Sequence, residues 1–97
     1  MTMHNPPHPG EFIRSIYLEP FGMSARSLAE SLAVSPSTLN RIITGKSGIS
    51  PDMALRLSKA LGRSAESWLA MQDHYDLWQA KQTVELDRVR QVKFAAS

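Results

Sequence analysis

The chain has 97 residues, 42% of them apolar, with six prolines, five glycines and no cysteine. That suffices for one compact domain with its own core, and it excludes disulfides, thiolate chemistry and any zinc site built on cysteine. The net charge of +2 is unevenly placed, +3 over residues 1–63 and −1 over residues 64–97, a mild basic bias that suits a polyanionic partner without naming one.

No run approaches the roughly 18 apolar residues that span a bilayer. The opening residues, Met1 to Pro7, lack the basic and apolar regions of a secretory leader. A cytoplasmic protein with no membrane association is expected, and residues 1–7 form a flexible N-terminal stretch.

Period-2 alternation is absent and the prolines and glycines fall where helices begin and end, so the chain reads as all-α. The first helix opens at Pro9, buries Phe12, Ile13, Ile16 and Tyr17, and stops at Pro20 and Gly22. Ser24 caps a second helix that turns Leu28, Ala29 and Leu32 inward. Ser35 followed by Pro36 starts a third, ended by Gly45, with only Ala33 and Val34 between the second helix and that cap. Ser50 followed by Pro51 repeats the signal for a fourth, which carries Met53, Ala54, Leu57, Ala60 and Leu61 inward as far as Gly62. Ser64 caps a long fifth helix from Ala65 to about Lys81, and Thr83 is placed to cap one more short helical segment through Val89. The domain thus occupies residues 8–82, followed by a partly ordered tail, residues 83–97.

Two short helices joined by a three-residue turn are the minimal device for setting a helix into the major groove, the first bracing the second. The apolar skeleton it needs is here: Leu28 and Ala29, Val34 in the turn, then Leu39 and Ile42. On a wheel of 100° per residue Leu39, Ile42 and Ile43 share one face of the third helix. Ser37, Arg41 and Thr44 lie near the centre of the opposite face, flanked by Thr38 and Asn40. Arginine pairs bidentately with guanine, asparagine with adenine, and hydroxyls accept or donate to either, so these five are the candidate base readers. Arg26, Ser27, Ser35, Lys46 and Ser47, with the amides opening the second and third helices, are candidate phosphate contacts.

These segments resemble the lambda-repressor-like (Xre) helix-turn-helix proteins, and more closely the HigA-type antitoxins. The resemblance rests on His8-Pro9-Gly10-Glu11, Ser24 to Ala29, Val34 to Leu39, Asn40 to Ser47, Trp68-Leu69 and Tyr75 to Trp78, and covers most of residues 8–78. It implies a five-helix lambda-repressor-like domain and a dimer that represses its own operon and neutralises a RelE-like RNA-cleaving toxin. A solitary phage-type regulator, or a toxin-binding module with little DNA binding, remains the alternative. Ala33 stands at the turn position that this superfamily often fills with glycine, and it serves there if its backbone stays out of the left-handed region.

Trp68, Met71, Tyr75 and Trp78 make one apolar stripe on the fifth helix, more than four short helices can cover. Trp68 and Leu69 are expected to finish the core, and Met71, Tyr75 and Trp78 to form a homodimer contact. A two-fold dimer sets its recognition helices about 34 Å apart and calls for a palindromic operator in double-stranded DNA.

Other groupings fall away. Gly45-Lys46-Ser47 ends like a phosphate-binding loop, but Asn40 stands where that motif needs glycine. Prolines 6, 7 and 9 keep His4 and His8 off one helical face, so no metal site forms there. Asp73, Asp76 and His74 have no nucleophilic partner. Neither an enzyme nor a cofactor is expected.

Overall fold

The computed structural model describes residues 5–95. Met1 to His4, which belong to the stretch expected to be flexible and include one histidine of the dismissed metal pair, lie outside them, as do Ala96 and Ser97 of the tail. Among the described residues the regular elements are all helical: α1 (Pro9–Ile13), continued by a π-helical stretch Arg14–Leu18, then α2 (Ala25–Leu32), α3 (Pro36–Ile43), α4 (Pro51–Leu61) and α5 (Ala65–Thr83).

The serine signals act as the sequence predicts. Ser24, Ser35, Ser50 and Ser64 each accept a hydrogen bond from the backbone amide three residues on, at 3.0 to 3.2 Å. Each satisfies a donor that would otherwise lack a partner and contributes about 1 kcal/mol. α1 is capped differently: Nδ1 of His8 accepts the amide of Gly10 at 2.9 Å.

The core is shared by every helix: Ile13, Leu18, Leu28, Ala29, Leu32, Leu39, Ile42, Met53, Ala54, Leu57 and Trp68, with Ile49 from the loop before α4. Trp68 is fully buried and its indole N–H donates to the carbonyl of Gly62 at 3.1 Å, so its polar edge is satisfied where the ring packs. The guanidinium of Arg63 covers the outer side of this cluster, 5.1 Å from the centroid of Phe12 and 5.9 Å from that of Trp68.

Several expectations are corrected. Ile16 is 46% exposed and Leu18 is buried in its place. Between Arg14 and Met23 the amides of Glu19 and Met23 bond back five residues, to Arg14 and Leu18. The wider turn adds a residue and brings Leu18 round to the core. Ala60 is exposed because its side of α4 faces an open groove beside Ser31, Leu32 and Ala33. α5 runs two residues past Lys81, and the short helix through Val89 does not form. Val84 is extended, only a turn bonds Val89 to Leu86, and Val84, Leu86 and Val89 are each more than half exposed. With nothing to pack against, so short a helix does not sustain itself.

Ala33 departs most clearly from expectation. It lies in the left-handed region, φ 59° and ψ 41°, where it ends α2: its amide bonds to Glu30 and the amide of Val34 to Ala29, both at 3.1 Å. This double return bond suits glycine, and an L side chain there costs about 1 to 2 kcal/mol. Arg56 of α4 reinforces the turn. Its Nη1 donates to the carbonyls of Leu32 and Ala33 at 2.9 and 3.2 Å while its Nε holds Asp52 at 2.6 Å. Ala33→Gly is therefore expected to raise stability by about 0.5 to 1 kcal/mol, net of the extra freedom glycine has when unfolded, and to lift Tm by a few degrees. Thermal unfolding checks this, and a lower Tm would mean that the turn carries no strain.

Candidate nucleic-acid interface

α3 is held outward by its apolar side. Leu39 and Ile42 are buried, Ile43 is half-buried, and Ser37, Thr38, Asn40, Arg41 and Thr44 are all exposed, so the five candidate base readers lie together on the open side of the helix and its first following residue. Their readiness to bond outward differs. The guanidinium of Arg41 has no hydrogen bond or ion pair among the described residues. The hydroxyl of Thr44 donates back to the carbonyl of Asn40 at 2.8 Å, which leaves its oxygen as an acceptor. The hydroxyl of Thr38 accepts from that of Ser35 at 2.8 Å, which leaves its proton to donate.

The candidate phosphate contacts are more dispersed. Arg26 lies in the first turn of α2, and its amide and that of Ala25 have no partner among the described residues, whereas the amide of Ser27 is taken by Ser24. At the start of α3, Pro36 has no N–H and the hydroxyl of Ser35 caps Thr38, so Ser37 supplies the free amide. Gly45, at φ 80°, turns the chain sharply, and the amides of Lys46 and Ser47 both return to the carbonyl of Arg41 at 2.8 and 3.1 Å. Lys46 is exposed just beyond α3, and Ser47 is half-buried.

Charge pairing sharpens the basic bias. Of the seven cations in residues 1–63, Arg14 pairs with Glu19 at 3.0 Å, Arg56 with Asp52, and Arg63 sits over two rings. Arg26, Arg41, Lys46 and Lys59 are unpaired among the described residues. Three of these four lie on the helix-turn-helix or directly after it. Each free cation there is available to displace counterions from a duplex.

Three supports behind α3 escape a reading of the sequence by composition and period. Gly10 is buried against the end of α3: a Cβ built on it would lie 1.9 Å from the carbonyl oxygen of Ile42 and 2.7 Å from Cα of Ile43. Gln72, only 7% exposed, accepts the amide of Ile49 through Oε1 at 2.9 Å and donates through Nε2 to Asp76 at 2.9 Å. His8 packs its ring edge-on to Tyr75 with centroids 4.9 Å apart. Gly10 within the first helix was the one available signal, and it does not say what it touches; nothing in the sequence marks Gln72.

The three candidate dimer residues are half-buried within the single chain. Met71 packs on the core, Tyr75 meets His8 and its hydroxyl accepts from Gln79 at 2.8 Å, and Trp78 lines a hollow with Pro6, Pro7 and Glu11. Leu77 beside them is 56% exposed.

A helix-turn-helix family model matches residues 15–68, more than half of the chain. The chain belongs to the helix-turn-helix family. It is 52% identical over 75 residues to virulence-associated protein I of Dichelobacter nodosus, a match covering 77% of this chain and 69% of the other. With antitoxin HigA-1 of Vibrio cholerae it shares 35% identity over 80 residues, 82% and 75% of the two chains. Among solved structures it aligns with antitoxin GraA in complex with its operator at TM-score 0.85 and 36% identity, over 97% and 98% of the chains. The HigA-type resemblance carried by the motifs thus extends over most of the chain. As in any helix-turn-helix protein the matched span encloses α2 and α3, but it stops at Trp68 and begins after Gly10. The supports from His8, Gly10 and Gln72 therefore lie outside the segment that the family model describes.

Proposed function

We propose that this chain is a sequence-specific DNA-binding repressor that serves as the antitoxin of a toxin–antitoxin pair, silencing its own operon as a cytoplasmic homodimer and neutralising a RelE-like RNA-cleaving toxin. The observation that carries the reading is the outward side of α3, where an unpaired guanidinium, a carboxamide and three hydroxyls stand over a buried apolar base. In this reading Ser37, Thr38, Asn40, Arg41 and Thr44 read bases, while Arg26, Ser27, Ser35, Lys46 and Ser47 grip phosphates. Met71, Tyr75 and Trp78 meet their counterparts across a two-fold axis, and the target is a palindrome. The kinship with HigA-1 and the fold shared with operator-bound GraA support this reading.

Fluorescence anisotropy with a labelled duplex from upstream of the chain's own reading frame tests it, against a scrambled duplex of equal length. Binding should be at least 10³-fold tighter to the first, and log affinity should fall linearly with log salt. Equal affinity for both, with no salt dependence, rejects the repressor. A tight complex with the neighbouring gene product in that case would leave toxin inhibition as the whole function. Sedimentation of Trp78→Ala, expected to be monomeric, tests the dimer contact.

A further inference from the structure

Lys46 and Ser47 sit on a loop, Gly45 to Ser50, with no regular structure of its own. A loop cation neutralises a phosphate reproducibly only if the backbone beneath it is fixed, and two side chains from distant parts of the sequence fix this one. Gln72 of α5 accepts the Ile49 amide across 23 residues of sequence, and its carboxamide lies so close under Gly48 that a Cβ there would come within 2.9 Å of it. His8, from ahead of α1, lines a hollow with Ile43, Thr44 and Gly45, where the loop leaves α3. The two are joined through α5: Asp76 holds the Nε2 of Gln72 at 2.9 Å and also acts electrostatically on His8, and Tyr75 beside it packs on the His8 ring.

We propose that His8 and Gln72 are positioning residues for the loop leaving the recognition helix, gripping it from both ends of the domain so that Lys46 meets the DNA backbone at a fixed place relative to Arg41. This rests on the DNA-binding reading above. Neither side chain is proposed to touch DNA: Gln72 acts through Gly48 and Ile49, and His8 through the start of the loop at Thr44 and Gly45.

The His8 grip is sensitive to protons. Its Nδ1 must be unprotonated to accept the Gly10 amide, and it stands at a helix N-terminus, where positive charge is disfavoured. The groups around it are Glu11 and Arg14 from the first helix and Tyr75 and Asp76 from α5. Burial holds the imidazole below its ordinary value of 6.5, and the opposing pull of Asp76, the Ser47 backbone and Glu11 does not overcome it. The folded form therefore takes up fewer protons than the unfolded one, so the His8 contribution is intact above about pH 6.5 and is lost as pH falls below it.

Anisotropy titrations of the full chain with the upstream duplex separate this role from general folding. Gln72→Met keeps the volume and removes both hydrogen bonds. It should weaken binding roughly tenfold and lower the salt slope by about one, the signature of one lost phosphate contact. In a Lys46→Ala background the same change should have little further effect. Lowering the pH from 7.5 to 5.5 should weaken wild-type binding several-fold, opposite to the tightening that added positive charge brings elsewhere. His8→Asn, which retains a capping side chain but does not titrate, should remove that dependence and keeps the proposal testable if Gln72→Met fails to fold. Wild-type protein that ignores the duplex defeats the DNA reading and this role with it. Wild-type binding with an unchanged salt slope in Gln72→Met, effects additive with Lys46→Ala, or a pH profile unaltered by His8→Asn defeats the positioning role alone.

Discussion

Gly10→Ala is expected to cost about 3 kcal/mol, the upper end of what overpacking does, and to lower Tm by roughly 12 to 24 °C. An alanine within a helix ordinarily gains up to about 1 kcal/mol over glycine, so the expected sign is the reverse of the local rule. The reason is the contact: the added methyl would stand 1.9 Å from the carbonyl oxygen of Ile42, and its other near neighbours are Ile42 C and Ile43 Cα, all main chain. Backbone in the last turn of a packed helix has no rotamer to change. α1 would have to withdraw by more than about 1 Å, loosening Ile13 from the core as it goes. Calorimetry or denaturant unfolding measures the effect, and a loss below about 1 kcal/mol would show that α1 does not bear on the end of α3.

Arg41→Ala carries the other large expected effect, on function with stability unchanged. The guanidinium is exposed and without a partner among the described residues, so its removal should shift unfolding by no more than about 0.5 kcal/mol. If Arg41 reads a guanine bidentately, as proposed, its loss should weaken operator binding by about 1 to 3 kcal/mol, roughly 5- to 150-fold. The preference at one base pair should relax while the others hold, which separates a reader from a phosphate contact such as Lys46, whose removal weakens all sequences alike. Selection from a randomised duplex library, run on both proteins, checks this directly. Unchanged base preference after the substitution would assign reading to other residues.

The parts legible in the sequence are those whose physics is local. A serine that caps its own helix bonds to an amide three residues away, and a following proline presets the backbone, so Ser24, Ser35-Pro36, Ser50-Pro51 and Ser64 place four helix starts without any knowledge of the fold. The two sides of α3 follow in the same way, because Leu39 and Ile42 recur at helical spacing and the polar residues fill what is left. What escaped depends on contacts between distant segments. The exchange of Ile16 for Leu18 needs a wider helical turn that only the packed core selects. The left-handed Ala33 lacks the glycine that would have announced it, and Arg56 of α4 helps to hold it there. Nothing in the sequence singles out Gln72, whose place is set by the amide of Ile49 bonded to it. The end of α5 followed the same logic in reverse, since Val84, Leu86 and Val89 have the composition of a helix face but no surface to lie on.

The hydrogen bond from Ile49 to Gln72 has a thermodynamic corollary. It ties the long last helix to the loop that follows α3, since one helical turn carries Gln72, Tyr75 and Asp76 together. Under the positioning role proposed above, a protein that clasps this helix and displaces Gln72 would alter the affinity for the duplex, and by reciprocity the duplex would alter the grip of that protein by the same factor.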